Sequence, residues 1–261
     1  MWEVVKESKV GKLNQPVLIV GLPGIGNVGK LCGDFLVEEL KAKKILSFFS
    51  YTLPQTVFVT ENNLIELPRI EMHLKHFNGK AKNDLLFLVG DIQPMNEESS
   101  HKFCQTMITL LKEFEGNEII TLGGIGQQNV PEKPKVYCTG TDKETIKQFT
   151  KLPAVEENIF GVVGPIMGIS GLLPGLAKRQ GLTAAILLAE TFGHPMYLGL
   201  PGAKEVLRVL NAKFSLNLDL QQMDKEINRI EKESLKRTKE LEKIMRPANN
   251  QTSGRETSYI G

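Results

Sequence analysis

At 261 residues the chain is long enough for one large α/β domain, or for one domain with an appendage. Its 32 Lys and Arg nearly balance 30 Asp and Glu, so nothing drives it toward nucleic acid by counterion release. Cys32, Cys104 and Cys138 make no C-x-x-C pair or disulfide scaffold, no apolar run reaches a membrane span, and MWEVVKESKVGKL lacks a signal peptide's apolar region; a soluble cytoplasmic protein without a membrane partner is expected.

Val17 to Val20 reads as a buried strand, and Val28, Leu31, Phe35, Leu36 and Leu40 recur at near-helical spacing after it. Lys44 to Phe49 is a second strand. Gln55 to Thr60, the Glu61-Asn62-Asn63 turn and Leu64 to Leu67 read as a hairpin; Ile70 to Phe77 then alternates up to an Asn78-Gly79 turn, giving a small antiparallel meander. The strand-helix rhythm resumes with a strand over Asp84 to Gly90, a helix near Ser99 to Phe114, and a strand over Glu118 to Leu122 that ends in a Gly123 to Gly126 loop. Lys135 to Thr139 is a short strand, and Asp142 suits the N-cap of a helical piece ending at Phe149. A strand over Ile159 to Val163, a helix over Gly171 to Arg179, a strand over Ala184 to Ala189 and a helix opening at Pro201 complete the pattern. Such alternation predicts an α/β fold with a mostly parallel twisted sheet flanked by helices.

The organisation read from this pattern is a single α/β domain over residues 1–215, a long amphipathic C-terminal helix over 216–246 and a flexible tail over 247–261. Leu216, Leu220, Met223, Ile227, Ile230, Leu241 and Ile244 follow a heptad seam interrupted at Ser234 and Arg237, and the rest of that stretch is charged. The tail is polar and follows Pro247.

The segment GLPGIGNVGKL satisfies two nucleotide signatures at once. Gly24 to Lys30 has the G-x-x-x-x-G-K spacing of a triphosphate loop, and Gly24-Ile25-Gly26-Asn27-Val28-Gly29 has that of a dinucleotide loop. Leu31 stands where the first needs a magnesium-binding hydroxyl, although Asp91 could imitate its magnesium-holding acid. The second needs an acid at the end of the next strand, which reads Phe48-Phe49-Ser50-Tyr51-Thr52. Glycines at a strand-to-helix turn also serve close packing alone, and that reading is preferred here. With Gly124 and the later cluster containing Gly164 and Gly168, the residues Gly24, Gly26, Asn27, Gly29 and Lys30 could line a ligand pocket or its vestige at the strands' carboxyl ends.

Few groups there can do acid–base chemistry. Glu190 and His194 follow one strand closely enough to be partners. His73 and His76 lie on a strand at odd spacing, so they face opposite sides and do not share a metal. No catalytic residue, cofactor site or metal site is assigned.

Taken in order, VLIVGLPGIGNVGKL, LLFLVGDIQP, IITLGGIG, VVGPIMGISGLLPGLAKRQG and ILLAETFGHP resemble the archaeal members of the proteasome assembly chaperone family. The resemblance covers roughly residues 15–215. It implies a phosphorylase- or hydrolase-like α/β fold used without chemistry, a homo-oligomer, and ATP-independent binding to proteasome α subunits or α rings. It also implies a docking tail ending in hydrophobic–tyrosine–any residue. Here the end is Tyr259-Ile260-Gly261, with Ile260 where the motif has tyrosine. Two-fold contacts are the commonest building unit, so an even-numbered assembly, a tetramer, is expected. Two rival readings stand beside this one: a nucleoside phosphorylase-like or nucleotide-binding enzyme using the glycine-lined pocket, and a general holdase.

Overall fold

The computed structural model describes residues 2–77, 82–156, 158–221 and 223–225. Its frame is β1 (Glu3–Lys6), β2 (Val17–Gly21), α1 (Val28–Glu39), β3 (Lys43–Phe49), the short β4 (Phe58–Val59) and β5 (Ile65–Glu66), then β6 (Ile70–Lys75), β7 (Leu85–Gly90) and α2 (Glu97–Glu113). There follow β8 (Glu118–Gln127), β9 (Val136–Gly140), α3 (Lys143–Thr150), β10 (Val155–Glu156), α4 (Ile169–Arg179), β11 (Thr183–Phe192) and α5 (Leu200–Phe214).

Among the described residues, nine strands form one sheet in the order β1-β3-β6-β7-β2-β8-β11-β9-β10, and β4 and β5 form a separate ribbon. The parallel pairs are β2–β7, β2–β8, β8–β11 and β9–β10. The antiparallel pairs are β1–β3, β3–β6, β6–β7 and β9–β11, and the ribbon adds a fifth. Four antiparallel and four parallel pairs make the nine-stranded sheet mixed, and the ribbon brings the antiparallel total to five, so the expected mostly parallel, phosphorylase- or hydrolase-like sheet is corrected. The reason lies in the connections. A parallel neighbour needs a crossover, whereas β6 and β9 re-enter the sheet from the end at which β3 and β8 leave it, without a crossing helix.

The central strands β2 and β7 are buried along their whole length, as expected of apolar runs covered on both faces. Helix α1 packs with α5, and α2 packs with α4. Trp2, Leu18, Leu88, Phe103, Met107, Leu111 and Leu173 belong to one continuous core. Local chemistry sets the helix ends. Asn96 Oδ1 accepts the Ser99 N–H at 3.1 Å to start α2, and Asp142 Oδ1 accepts the Thr145 N–H at 2.8 Å to start α3. Pro201 sits in the first turn of α5.

Three local expectations change. Ile159 to Val163 is a turn, closed by the Val162 N–H on the Ile159 carbonyl at 3.0 Å, and Phe160 is fully exposed. Gly123 to Gly126 is not a loop: β8 continues through it and pairs with β11 as far as Gln127 and Phe192. The hairpin forms, but β6 joins the main sheet instead of completing a meander. The Asn78-Gly79 turn lies outside the described residues.

The α/β unit spans Met1–Asp219. Helix α5 ends at Phe214, Ser215 takes the left-handed conformation with φ of 50°, and residues 216–219 are not helical. Helical conformation returns at Gln221. The seam residues Ile227, Ile230, Leu241 and Ile244 and the tail residues Tyr259, Ile260 and Gly261 lie outside the described residues.

Candidate functional site

The turn that follows β2 is closed upon itself. The Asn27 N–H donates to the Gly24 carbonyl at 2.9 Å, and the Val28 N–H donates to the Ile25 carbonyl. Gly26 has φ of 60° and Asn27 of 52°, the left-handed region in which glycine and asparagine are most at ease. These two N–H groups, at the place where a phosphate loop would offer its cradle, already have partners.

Close packing explains the glycines. A Cβ on Gly29 would lie 2.5 Å from the Leu122 carbonyl oxygen, and one on Gly124 would collide with the Ile25 carbonyl. One on Gly26 would lie 2.5 Å from Thr191 Oγ1, and so would one on Gly199. The Gly199 N–H donates to the Gly26 carbonyl at 2.7 Å. Thr191 is therefore wedged between two glycines, and its hydroxyl is buried with no hydrogen-bond partner among the described residues. Of the residues read as a pocket, Gly26 and Gly124 form a filled floor around Thr191, Gly29 packs on the Leu122 and Leu22 carbonyls, and Gly24 has open space around it.

Lys30 turns away from that floor. Its ammonium lies 3.0 Å from Asp34 Oδ2 and 3.1 Å from Asp91 Oδ1, and donates to the Gly90 carbonyl at 3.2 Å. Asp91 also accepts the Arg69 backbone N–H at 3.1 Å and its Nε–H at 3.2 Å. Burial alone would raise the Asp91 carboxyl. The Arg69 backbone N–H and the Lys30 ammonium outweigh it and hold the carboxyl below the usual carboxylate range. Asp91 thus serves as an anchor for two cations.

The remaining candidates separate. Glu190, on β11, accepts the Lys135 N–H at 3.1 Å and the Tyr137 hydroxyl at 3.2 Å. Burial, with Glu190 next to it, pushes the Tyr137 phenol up. His194 stacks on Phe192 at 5.7 Å, and its Nδ1 accepts the Met196 N–H at 3.2 Å. The two are thus tied to different partners. Gly168 has φ of 75° and begins α4 beside Gln93. Gly164 lines a separate depression of about 340 Å³ with Thr139, Gly140, Ile166, Gly171 and Lys178. His73 bonds Glu71 and His76 bonds Asp84, and among the described residues no group of three His, Cys, Asp or Glu could hold a metal. The three thiols are buried, and burial pushes those of Cys104 and Cys138 up to about 12, so they are poor nucleophiles. Among the described residues no helix is long and apolar enough to cross a membrane.

Around the filled floor the loops present exposed apolar side chains, among them Ile25 after β2, Met95 after β7 and Met196 after β11. Met167, just before α4, is 85% exposed, and Met95 and Met196 are 81% and 84% exposed, far from the burial their chemistry favours. Gln93 ties three of these loops together: its Nε2–H donates to the Pro23 carbonyl at 2.7 Å, and its Oε1 accepts the Ile169 N–H at 3.2 Å. Methionine surfaces adapt to irregular partners, so this rim has the composition of a protein-binding surface. The sequence reading missed Gln93, Thr191 and Gly199. Nothing local marks Gln93, but Pro94-Met95, Met167-Gly168 and Pro195-Met196 each set a methionine beside a turn residue, a signal of exposure.

Fold and site together define a mixed-sheet α/β protein whose phosphate-loop-like turn is filled by its own backbone. The chain belongs to the PAC2 family, which its residues 18–237 match. It is 28% identical over 259 residues to an uncharacterized protein of Methanocaldococcus jannaschii, covering 98% of this chain and 96% of that one. Among solved structures it is similar to Pyrococcus furiosus PbaB, an archaeal proteasome activator, with 29% identity, a TM-score of 0.83 and coverage of 91% and 98% of the two chains. It is also similar to Pyrococcus furiosus PbaA, an archaeal homolog of proteasome-assembly chaperone, with 25% identity, a TM-score of 0.74 and 94% of each chain covered.

Proposed function

We propose that this protein is a non-enzymatic, ATP-independent proteasome assembly chaperone that self-associates and binds proteasome α subunits or α rings in the cytoplasm. The observation that carries the reading is the filled glycine floor beneath an exposed apolar rim. Where an α/β enzyme keeps an open pocket with convergent polar groups, Gly26, Gly124 and Gly199 close around Thr191, Gly29 packs on the Leu122 carbonyl, and Lys30 is engaged by two carboxylates. The rim offers adaptable apolar contact area instead. The tail Tyr259-Ile260-Gly261 supplies a second docking element, with an amphipathic ring, an apolar side chain and a carboxylate. Several tails on one assembly gain by effective concentration.

The likeness to PbaB, higher in TM-score than that to PbaA, favours a second reading in which the target is the assembled proteasome and the effect is activation. Co-purification with α subunits, using the full chain and a version ending at Pro247, tests the proposal. Full-chain binding is expected, reduced by the truncation. Absence of α-subunit binding by the full chain overturns it, and equal binding of unrelated unfolded proteins replaces it with a general holdase. Stimulated peptide hydrolysis by assembled proteasomes, without effect on ring formation, selects the activator.

A further inference from the structure

The ribbon of β4 and β5 is the least explained part of the α/β unit. It hydrogen-bonds only to itself, outside the nine-stranded sheet, and all four of its strand residues are exposed. A lone two-stranded ribbon is marginal in water, because it has no third strand or helix to cover a face.

Its register defines what each face carries. Phe58 lies opposite Glu66 and Val59 opposite Ile65. Side chains alternate along a strand, so Val59 and Ile65 share one face, and the same alternation adds Val57 and Leu67 one step outward. That face is wholly apolar, and its four side chains are 50% to 73% exposed. The opposite face carries Phe58, Thr60, Leu64 and the carboxylate of Glu66, a mixture that water tolerates.

We propose that the Val57, Val59, Ile65 and Leu67 face packs on the same face of a second copy of this chain, two-fold related, and so forms one contact of the oligomer. The inference rests on the self-association part of the proposed function and gives it a place. Charge selects this face over the other. In a two-fold contact the residues near the axis meet their own mates, and on so small a face as the mixed one this would bring Glu66 close to Glu66, whereas the apolar face has no charge to repel. In size the face suits the apolar centre of such a contact. At roughly 100 Å² each, the four side chains supply on the order of 400 Å², about half of the ~800 Å² per partner in a standard interface. Gln55, Thr56, Asn62 and Asn63 surround them in sequence and provide the polar rim that such an apolar centre needs.

The test uses the full chain and sedimentation equilibrium, with Val59→Glu and Val59→Lys prepared separately. Neither substitution touches the core, so each variant should keep the wild-type circular dichroism spectrum. Each alone should weaken self-association at least tenfold, and mixing the two should restore it, because opposite charges then face each other across the two-fold. Unchanged assembly of both variants overturns the proposal while leaving self-association standing. A monomeric wild type removes the self-association reading itself. Intact oligomers that lose α-subunit binding assign the face to a different protein and also overturn the proposal.

Discussion

Lys30 Nζ lies 3.1 Å from Asp91 Oδ1, so the lysine of the phosphate-loop-like spacing is bound to the aspartate that could have imitated its magnesium ligand. A lysine held by Asp91 on one side and Asp34 on the other is placed to tie α1 to the end of β7. Lys30→Met should therefore lower stability by about 1 kcal/mol, since it leaves the partly buried Asp91 with one fewer charge-assisted bond. Urea unfolding would measure this. Millimolar Mg-ATP should leave the wild-type midpoint unmoved, whereas a ligand at a hundred times its Kd would add about 2.7 kcal/mol.

The same aspartate governs part of the acid response. Its folded pKa is depressed, so between that value and the unfolded one of about 3.9 the unfolded chain binds more protons. The stability it contributes is present above the unfolded value and disappears as pH falls through the folded one. Wild type should be more resistant to urea than Asp91→Asn at pH 6, and the gap should narrow below about pH 4. A gap of constant width from pH 7 to 2 would assign the effect to packing.

Two of the glycines read as pocket lining should behave oppositely. Gly124→Ala drives a methyl into the Ile25 carbonyl and should cost about 3 kcal/mol. Gly24→Ala meets nothing within 4 Å and should unfold like wild type. Thermal melts of the two variants, with α-subunit binding as a second readout, distinguish a packing role from a ligand-cradling one.

Thr191 gives a prediction of the opposite sign. Its hydroxyl is buried without a partner among the described residues, so Thr191→Val keeps the shape and removes an unsatisfied group. Stability should stay level or rise by up to about 1 kcal/mol. A loss larger than that in calorimetry would mean the hydroxyl has a partner, such as a buried water.

The apolar rim should be separable from folding. Met95→Glu and Met196→Glu alter exposed side chains and should leave stability within about 0.5 kcal/mol. If the rim contributes to α-subunit docking, each should weaken binding about tenfold, or 1.4 kcal/mol, in a titration.

Much of the chain could be read locally because its signals are local. The buried run from Val17 to Val20, the Asp142 cap and Pro201 at the start of α5 each announce an element through periodicity or backbone chemistry, and each appears where expected. Ile159 to Val163 misled because a short apolar run looks the same in a strand and in an exposed turn. Strand direction was not legible either. It depends on which end of the sheet the chain re-enters, a property of connections and not of the strands' own residues.

By itself the sequence determined most of the succession of elements from β2 to α5, though not β1 or β10, together with the lack of a magnesium-binding hydroxyl at Leu31 and the family-like succession of glycine segments, because these follow from residue identity and near-neighbour spacing. Tertiary structure alone decided that the sheet is mixed, that Thr191 fills the space between Gly26 and Gly199, that Lys30 spends its charge on Asp34 and Asp91, and that the ribbon face of Val59 and Ile65 is bare. Each of these depends on residues far apart in the chain meeting, or failing to meet, and no local pattern encodes such a meeting.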